Sequence, residues 1–176
     1  MMRIRQAQPG DEAAMARVHV ESWRTTYPGI MPDNVLENLD STDREPIWRG
    51  WIADQDAAVF VAEDADDGIV GVAAGGPERS GEWPYDGELY AIYLLEMYQG
   101  QGIGRELAQA MGKHLIDQGI QSMLVWVAAG VPACGFYEAI GGRQVDRRPE
   151  PIAGVEIDVI GYGWDDVRSL TSEGTG

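Results

Sequence analysis

The chain is expected to fold as a single α/β domain with a mixed central β-sheet flanked by helices, and three observations lead there. Its 176 residues are the length of one domain able to bury most of its apolar surface in a single core. Its hydrophobic pattern switches between the two-residue period of strands and the 3.6-residue period of helices, in the order β, helices, β-β-β, α, β, α, β-β. A glycine-rich loop, Gln99-Gly100-Gln101-Gly102-Ile103-Gly104-Arg105, follows the strand-like run 89–95 and opens the helix-like run 103–118, which marks a β-α-β unit.

Residues 3–7 alternate like a short strand. Pro9-Gly10-Asp11 then opens a helix whose apolar positions Ala14, Met15, Val18 and Trp23 carry it to about Tyr27, where Pro28-Gly29 stops it. Residues 32–39 and 42–53 read as two further short helices. The second has Ser41 or Thr42 as N-cap, Glu45 at capping-box distance, and Ile47, Trp48, Trp51 and Ile52 as its apolar face. This segment is expected to cover one side of a site. The β-rich runs 58–62 and 69–74 are joined by a polar turn ending in Gly68, a hairpin signal. After a loop over 77–87 come a strand over 88–95, a helix over 102–118 closed by Gly119, and a strand over 122–127. A helix over 132–140, closed by Gly141-Gly142, and strands over 144–147 and 155–163 complete the domain, 1–168. The polar, glycine-rich stretch 169–176 reads as a flexible tail.

The loop at 99–105 has the makings of an anion site. Glycines at 100, 102 and 104 put no Cβ between backbone and ligand, and the first turn of a helix offers unpaired N–H groups at a positive dipole end. Arg105 adds a mobile charge. A Walker loop needs Gly-Lys-Ser/Thr, and here Gly104 is followed by Arg105 and Glu106; a dinucleotide fingerprint is broken by Arg105 and Leu107.

Composition narrows the partners. The net charge is −16, from 29 acidic and 13 basic residues, and Lys113 is the only lysine. Nucleic acid is a poor partner for such a field; a cationic amine is compatible with it, although a solubilising or salt-adapted surface explains it more simply. Cys134 is the sole cysteine, which allows no internal disulfide and points to a reducing, cytoplasmic setting. No apolar run reaches the length of a membrane span, so no membrane partner is expected. His19 and His114 have no partner at ligand spacing, so no metal is expected.

Gln-x-x-Gly-x-Gly between a strand and a helix is similar to the acetyl-CoA signature of the Gcn5-related N-acetyltransferase (GNAT) superfamily. The resemblance runs from Glu88 through Gly104, the following helix and strand, and Phe136-Tyr137-Glu138-Ala139-Ile140-Gly141. It implies a mostly antiparallel sheet and acetyl-CoA as co-substrate, held by Ile92, Tyr93 and Leu94 of the strand, by Gln99 to Arg105 of the loop, and by Ala133 and Phe136. It implies Tyr137 as general acid toward the CoA sulfur and Glu88 as base for the amine, with buried water as the alternative. The acceptor pocket of the resembled enzymes falls at Trp23 and Tyr27, four apart on one helix face, with Tyr90 sharing the strand face of Glu88. Simple core packing is the competing reading for each aromatic.

Two departures stand out. Val131 replaces an asparagine that usually contacts pantetheine, and Gly142 replaces an aromatic. Gly135 inside the same helix costs about 1 kcal/mol against alanine, so this helix is expected to be loosely held. The reading is therefore an acetyl-CoA-dependent N-acetyltransferase acting on an amine of a small molecule or peptide, by direct transfer without a nucleophilic Cys134. The alternatives are a non-catalytic acyl-CoA sensor, or an interaction protein in which the six tryptophans and residues 32–53 form a homodimer or partner surface. The acceptor stays open among polyamines, amino acids, antibiotics and peptides.

Overall fold

The structure is a computed structural model and describes residues 1–171. Its strands are β1 (Met2–Gln6), β2 (Ala58–Asp64), β3 (Gly68–Pro77), β4 (Gly87–Leu94), β5 (Met123–Ala128), β6 (Arg143–Ile152) and β7 (Val155–Trp164). Its helices are α1 (Glu12–Thr26), α2 (Asp33–Glu37), α3 (Ser41–Ala53), α4 (Ile103–Asp117), α5 (Pro132–Ala139) and α6 (Arg168–Thr171), with a 3-10 turn at Glu96–Tyr98. The strands form one sheet in the order β1-β2-β3-β4-β5-β7-β6, antiparallel throughout except for β4 and β5. That is the mixed, mostly antiparallel sheet flanked by helices that the sequence led us to expect.

Burial on both faces explains why β2 and β3 are nearly all apolar rather than strictly alternating. On one face, Leu107, Met111 and Leu115 of α4 pack against Val70, Ala73, Leu89 and Met123. On the other, Met15 and Val18 of α1 and Trp48 of α3 pack against Val61, Val72, Ala74 and Ala91. Fully burying side chains of this size contributes about 1.5–3 kcal/mol each.

The structure corrects the sequence reading in several places. The N-cap of α3 is not Ser41 or Thr42 but Asp40, in extended backbone, whose Oδ1 accepts from Thr42 N at 2.9 Å; the helix starts one residue earlier than its apolar pattern suggested. Strand β6 runs past Arg147 to Ile152, through Pro149 and Pro151. It is the edge strand, where two prolines spaced by two can turn their missing N–H groups to the free side. The tail was expected from residue 169, yet α6 reaches Thr171 and its Leu170 is buried against Gly112; residues 172–176 lie outside the described residues.

The departures around α5 have a physical account. A Cβ on Gly142 would come within 2.7 Å of Trp164 Cζ2 and 2.8 Å of Tyr137 O, so Trp164 of β7 already fills the space that an aromatic there would occupy. Trp164 Nε1 donates to Ile140 O at 3.1 Å, Tyr162 Oη donates to Glu138 Oε1 at 3.1 Å, and Tyr137 packs on both rings. Helix α5 is thus clamped to β7 rather than loosely held.

Candidate active site

Two local features open a cavity in the middle of the sheet. Ala74 pairs with Ala91 but Gly75 pairs with Leu89, so Tyr90 is an extra residue in β4, a bulge that bends the strand. The parallel pairing of β4 with β5 spans only Gly87–Leu89 against Met123–Val125, after which β5 continues with β7 alone. Beyond Leu89, β4 therefore turns a row of unpaired backbone groups toward β5. Between them lies a cavity of about 710 Å³, a size typical of small-molecule sites.

Of the residues given catalytic, co-substrate or acceptor roles in the sequence reading, twelve line this cavity: Trp23, Tyr27, Glu88, Tyr90, Ile92, Tyr93, Leu94, Gln99, Gly104, Ala133, Phe136 and Tyr137. Gly100, Gln101, Gly102, Ile103 and Arg105 do not line it; they form the loop and first turn of α4 beside Gln99 and Gly104. Ile103 turns into the core. Gly102 is the N-cap of α4 at φ +86°, a left-handed conformation that favours glycine, and no side chain caps the helix. Its first N–H groups are left for a ligand. Gln99 and Gln101 brace the loop by donating from Nε2 to Leu94 O and Met97 O, both at 3.0 Å. A Cβ on Gly104 would lie 3.3 Å from the Phe136 ring, so α4 and α5 meet there without room to spare.

Tyrosines surround the widest part. Tyr137 is 3% exposed, and burial pushes its phenol well above the usual value near 10. Burial raises Tyr27 and Tyr93 in the same way, and Tyr90 to about 12. All four are protonated at neutral pH; Tyr90 already donates to Pro77 O at 2.6 Å, which leaves Tyr27, Tyr93 and Tyr137 able to donate to a ligand. Trp23 and Tyr27 meet edge-on at 4.8 Å.

Glu88, 5% exposed, lies at the start of β4, and its carboxylate is engaged. Oε1 accepts from the Arg79 main-chain N and from Nε, both at 3.2 Å, while Oε2 accepts from Nη2 at 2.6 Å. Arg79 itself lies over the Tyr90 ring, with Cζ 4.2 Å from the centroid. Residues 32–53 do not cover the site as expected: none of them lines the cavity. They buttress it from behind, through Trp48 on His19 and Trp51 on Tyr90.

Comparison with known proteins decides the lineage. The chain is 41% identical over 170 residues to the uncharacterized N-acetyltransferase YuaI of Bacillus subtilis, covering 97% of this chain and 96% of that one. The chain belongs to the GNAT superfamily. The FR47-like protein family matches residues 71–149, which hold β4, the loop, α4, β5 and α5. The aminoglycoside N(6')-acetyltransferase type 1 of Stenotrophomonas maltophilia is 32% identical over 150 residues, covering 77% of this chain and 86% of that one. The PaiA N-acetyltransferase of Thermoplasma acidophilum, solved in complex with coenzyme A, superposes with a TM-score of 0.73 at 20% identity, covering 93% of this chain and 99% of that one.

Several cavity residues of this GNAT protein had escaped the sequence reading: Arg79, Trp126, Arg148, Glu150 and Ile152. The signal for the last three was the two-residue alternation at 148, 150 and 152, hidden because Pro149 and Pro151 read as the end of the strand. No helix is long and apolar enough to cross a membrane, and no group of three or more His, Cys, Asp or Glu side chains could hold a metal, both among the described residues. Cys134 is half-buried and donates from Sγ to Ala128 O at 3.4 Å.

Proposed function

We propose that this GNAT protein transfers the acetyl group of acetyl-CoA directly to an amine of a small molecule or peptide, both bound in the cavity between β4 and β5. The observation that carries this reading is the splay of β4 from β5, with Tyr137 on one wall and the uncapped N-terminus of α4 at the edge. Residues there fit the co-substrate: the register of β4 on β3 turns the backbone groups of Ile92 and the N–H of Leu94 toward the gap, where they can pair with an extended amide-bearing arm, while Tyr93 keeps its own bonded to β3, and the N–H groups of Gly102 to Arg105 can take a diphosphate. Acetyl-CoA supplies an activated thioester.

Trp23, Tyr27 and Tyr90 orient the amine and exclude water. Tyr137 Oη holds a proton and delivers it to the departing sulfur. Because Arg79 binds both oxygens of Glu88, the amine proton leaves by way of water, with Glu88 fixing the pocket wall. Cys134 takes no part, being tied to the Ala128 carbonyl.

Isothermal titration with acetyl-CoA and CoA, on the wild type and Arg105→Glu, a part-exposed position of the first turn of α4, tests the core of this. A carboxylate at the mouth of α4 is expected to weaken binding about 100-fold by repelling the diphosphate. A folded wild type that binds neither ligand would refute the assignment.

A further inference from the structure

Resting on that transferase reading, we infer that the acceptor is a small amino-carboxylate, a molecule carrying a carboxylate beside its amine, recognised by Arg79 and Arg148. Both arginines line the cavity, one from the β3–β4 loop and one from β6. Each is fixed by an aromatic ring beneath and a carboxylate beside it. Arg79 lies over Tyr90 and is paired with Glu88; Arg148 Cζ lies 4.1 Å from the Trp126 ring centroid and its Nε is 2.7 Å from Glu150 Oε1. Pinned in this way, Arg79 Nη1 and both Nη atoms of Arg148 have no hydrogen-bond partner among the described residues. A guanidinium already immobilised loses little further freedom on binding a carboxylate, and its planar fork suits one.

A surplus of donors points the same way. The buried polar side-chain atoms without a hydrogen-bond partner, among the described residues, are Trp23 Nε1, Arg44 Nε, Trp83 Nε1 and Arg148 Nε, and every one is an N–H donor. Arg148 Nε is close to Glu150 without its N–H being aimed there. Trp23 Nε1 lies against the Tyr93 phenol and so has an acceptor beside it, but Arg148 lines the cavity and Trp83 stands at its rim, 5.2 Å from the Trp126 ring. Buried donors lacking partners call for acceptor oxygens from a ligand.

The carboxylates around the cavity, by contrast, are taken. Glu88 is held by Arg79 and Glu150 sits beside Arg148. Glu78 accepts from Ser80 N at 3.0 Å and Gly81 N at 2.6 Å. A polycation such as an aminoglycoside would find no unengaged carboxylate among these, whereas a zwitterion matches two fixed ion pairs of alternating sign.

The experiment compares L-amino acids with their own amides and decarboxylated amines, plus kanamycin. Thiol release gives kcat and KM, and tryptophan fluorescence of the CoA-saturated enzyme reports binding directly through Trp83 and Trp126. Acids are expected to exceed their amides and amines about tenfold or more in kcat/KM, through KM. Arg148→Met and Arg148→Lys, each checked for an unchanged thermal transition, are expected to narrow that ratio to near unity by raising KM for the acids. Equal or better turnover of amides, amines or kanamycin overturns the inference, as does binding of none of these probes by enzyme that binds acetyl-CoA. Failure to bind acetyl-CoA overturns the transferase reading itself, so the two failures are distinct.

Discussion

His19 offers a sharp test of how the site is supported. It is 7% exposed in the middle of α1; its Nδ1 accepts from Trp48 Nε1 at 3.2 Å, and its ring stacks on Tyr93 at 4.5 Å. Burial, helped by the nearby Arg44 charge, pushes its pKa down from 6.5 to about 4. The folded protein therefore keeps His19 neutral at pH values where the unfolded chain has already taken up a proton. Stability from this group is fully present above about pH 6.5, falls as the pH drops toward 4, and is constant below. By pH 4.5 the loss amounts to roughly 2–3 kcal/mol, at 1.36 kcal/mol per pH unit. Carboxylates paired with Arg5, such as Asp11, also lose stabilisation in acid, so the quantity to measure is a difference. Urea unfolding at pH 7.5 and 4.5 is compared for wild type and His19→Gln, whose amide oxygen can still accept from Trp48. The wild type should lose roughly 2–3 kcal/mol more than the variant between the two pH values. Equal losses, or an NMR titration of the imidazole near pH 6.5, would refute the reasoning.

Other expectations are simpler to check. Tyr137→Phe should lower kcat by about 100-fold or more while leaving the acetyl-CoA dissociation constant within about twofold, by stopped-flow and titration. Gly135→Ala should raise stability by about 0.5–1 kcal/mol, because this exposed helical position has nothing within 4 Å of a Cβ; a thermal melt reads it directly. Gly142→Ala should cost roughly 1–3 kcal/mol, by driving a methyl group into Trp164 and the Tyr137 carbonyl, and should lower the thermal midpoint. Cys134→Ala should retain kcat; its loss with CoA binding intact would reinstate a covalent route.

The order of elements was legible because each strand and helix carries its own hydrophobic period, and the anion-binding loop because glycine spacing and helix start are local features. Twelve of the residues that line the cavity had been singled out for roles, from the strand before the loop, the loop itself, the Phe136-Tyr137 motif and the spacing of Trp23 and Tyr27 on the first helix. What escaped depends on partners distant in sequence. Gly142 looked like a defect until Trp164, from β7, was found in its place. Glu88 read as a base for the amine, and nothing local announces that Arg79 folds back over Tyr90 to bind it. Arg148 and Glu150 were concealed by the prolines that alternate with them, which end a strand in most contexts and here only blunt an edge.

The brief contact between β4 and β5 has a mechanical consequence. Three residue pairs form a seam between two halves of the sheet, β1 to β4 on one side and β5 to β7 on the other, with α6 reaching back to α4 as a second tie. A ligand lying in the gap touches both halves at once and acts as a stitch across the seam. Amide hydrogen exchange along Ala91 to Leu94 and Trp126 to Ala128 should therefore slow together when the gap is filled.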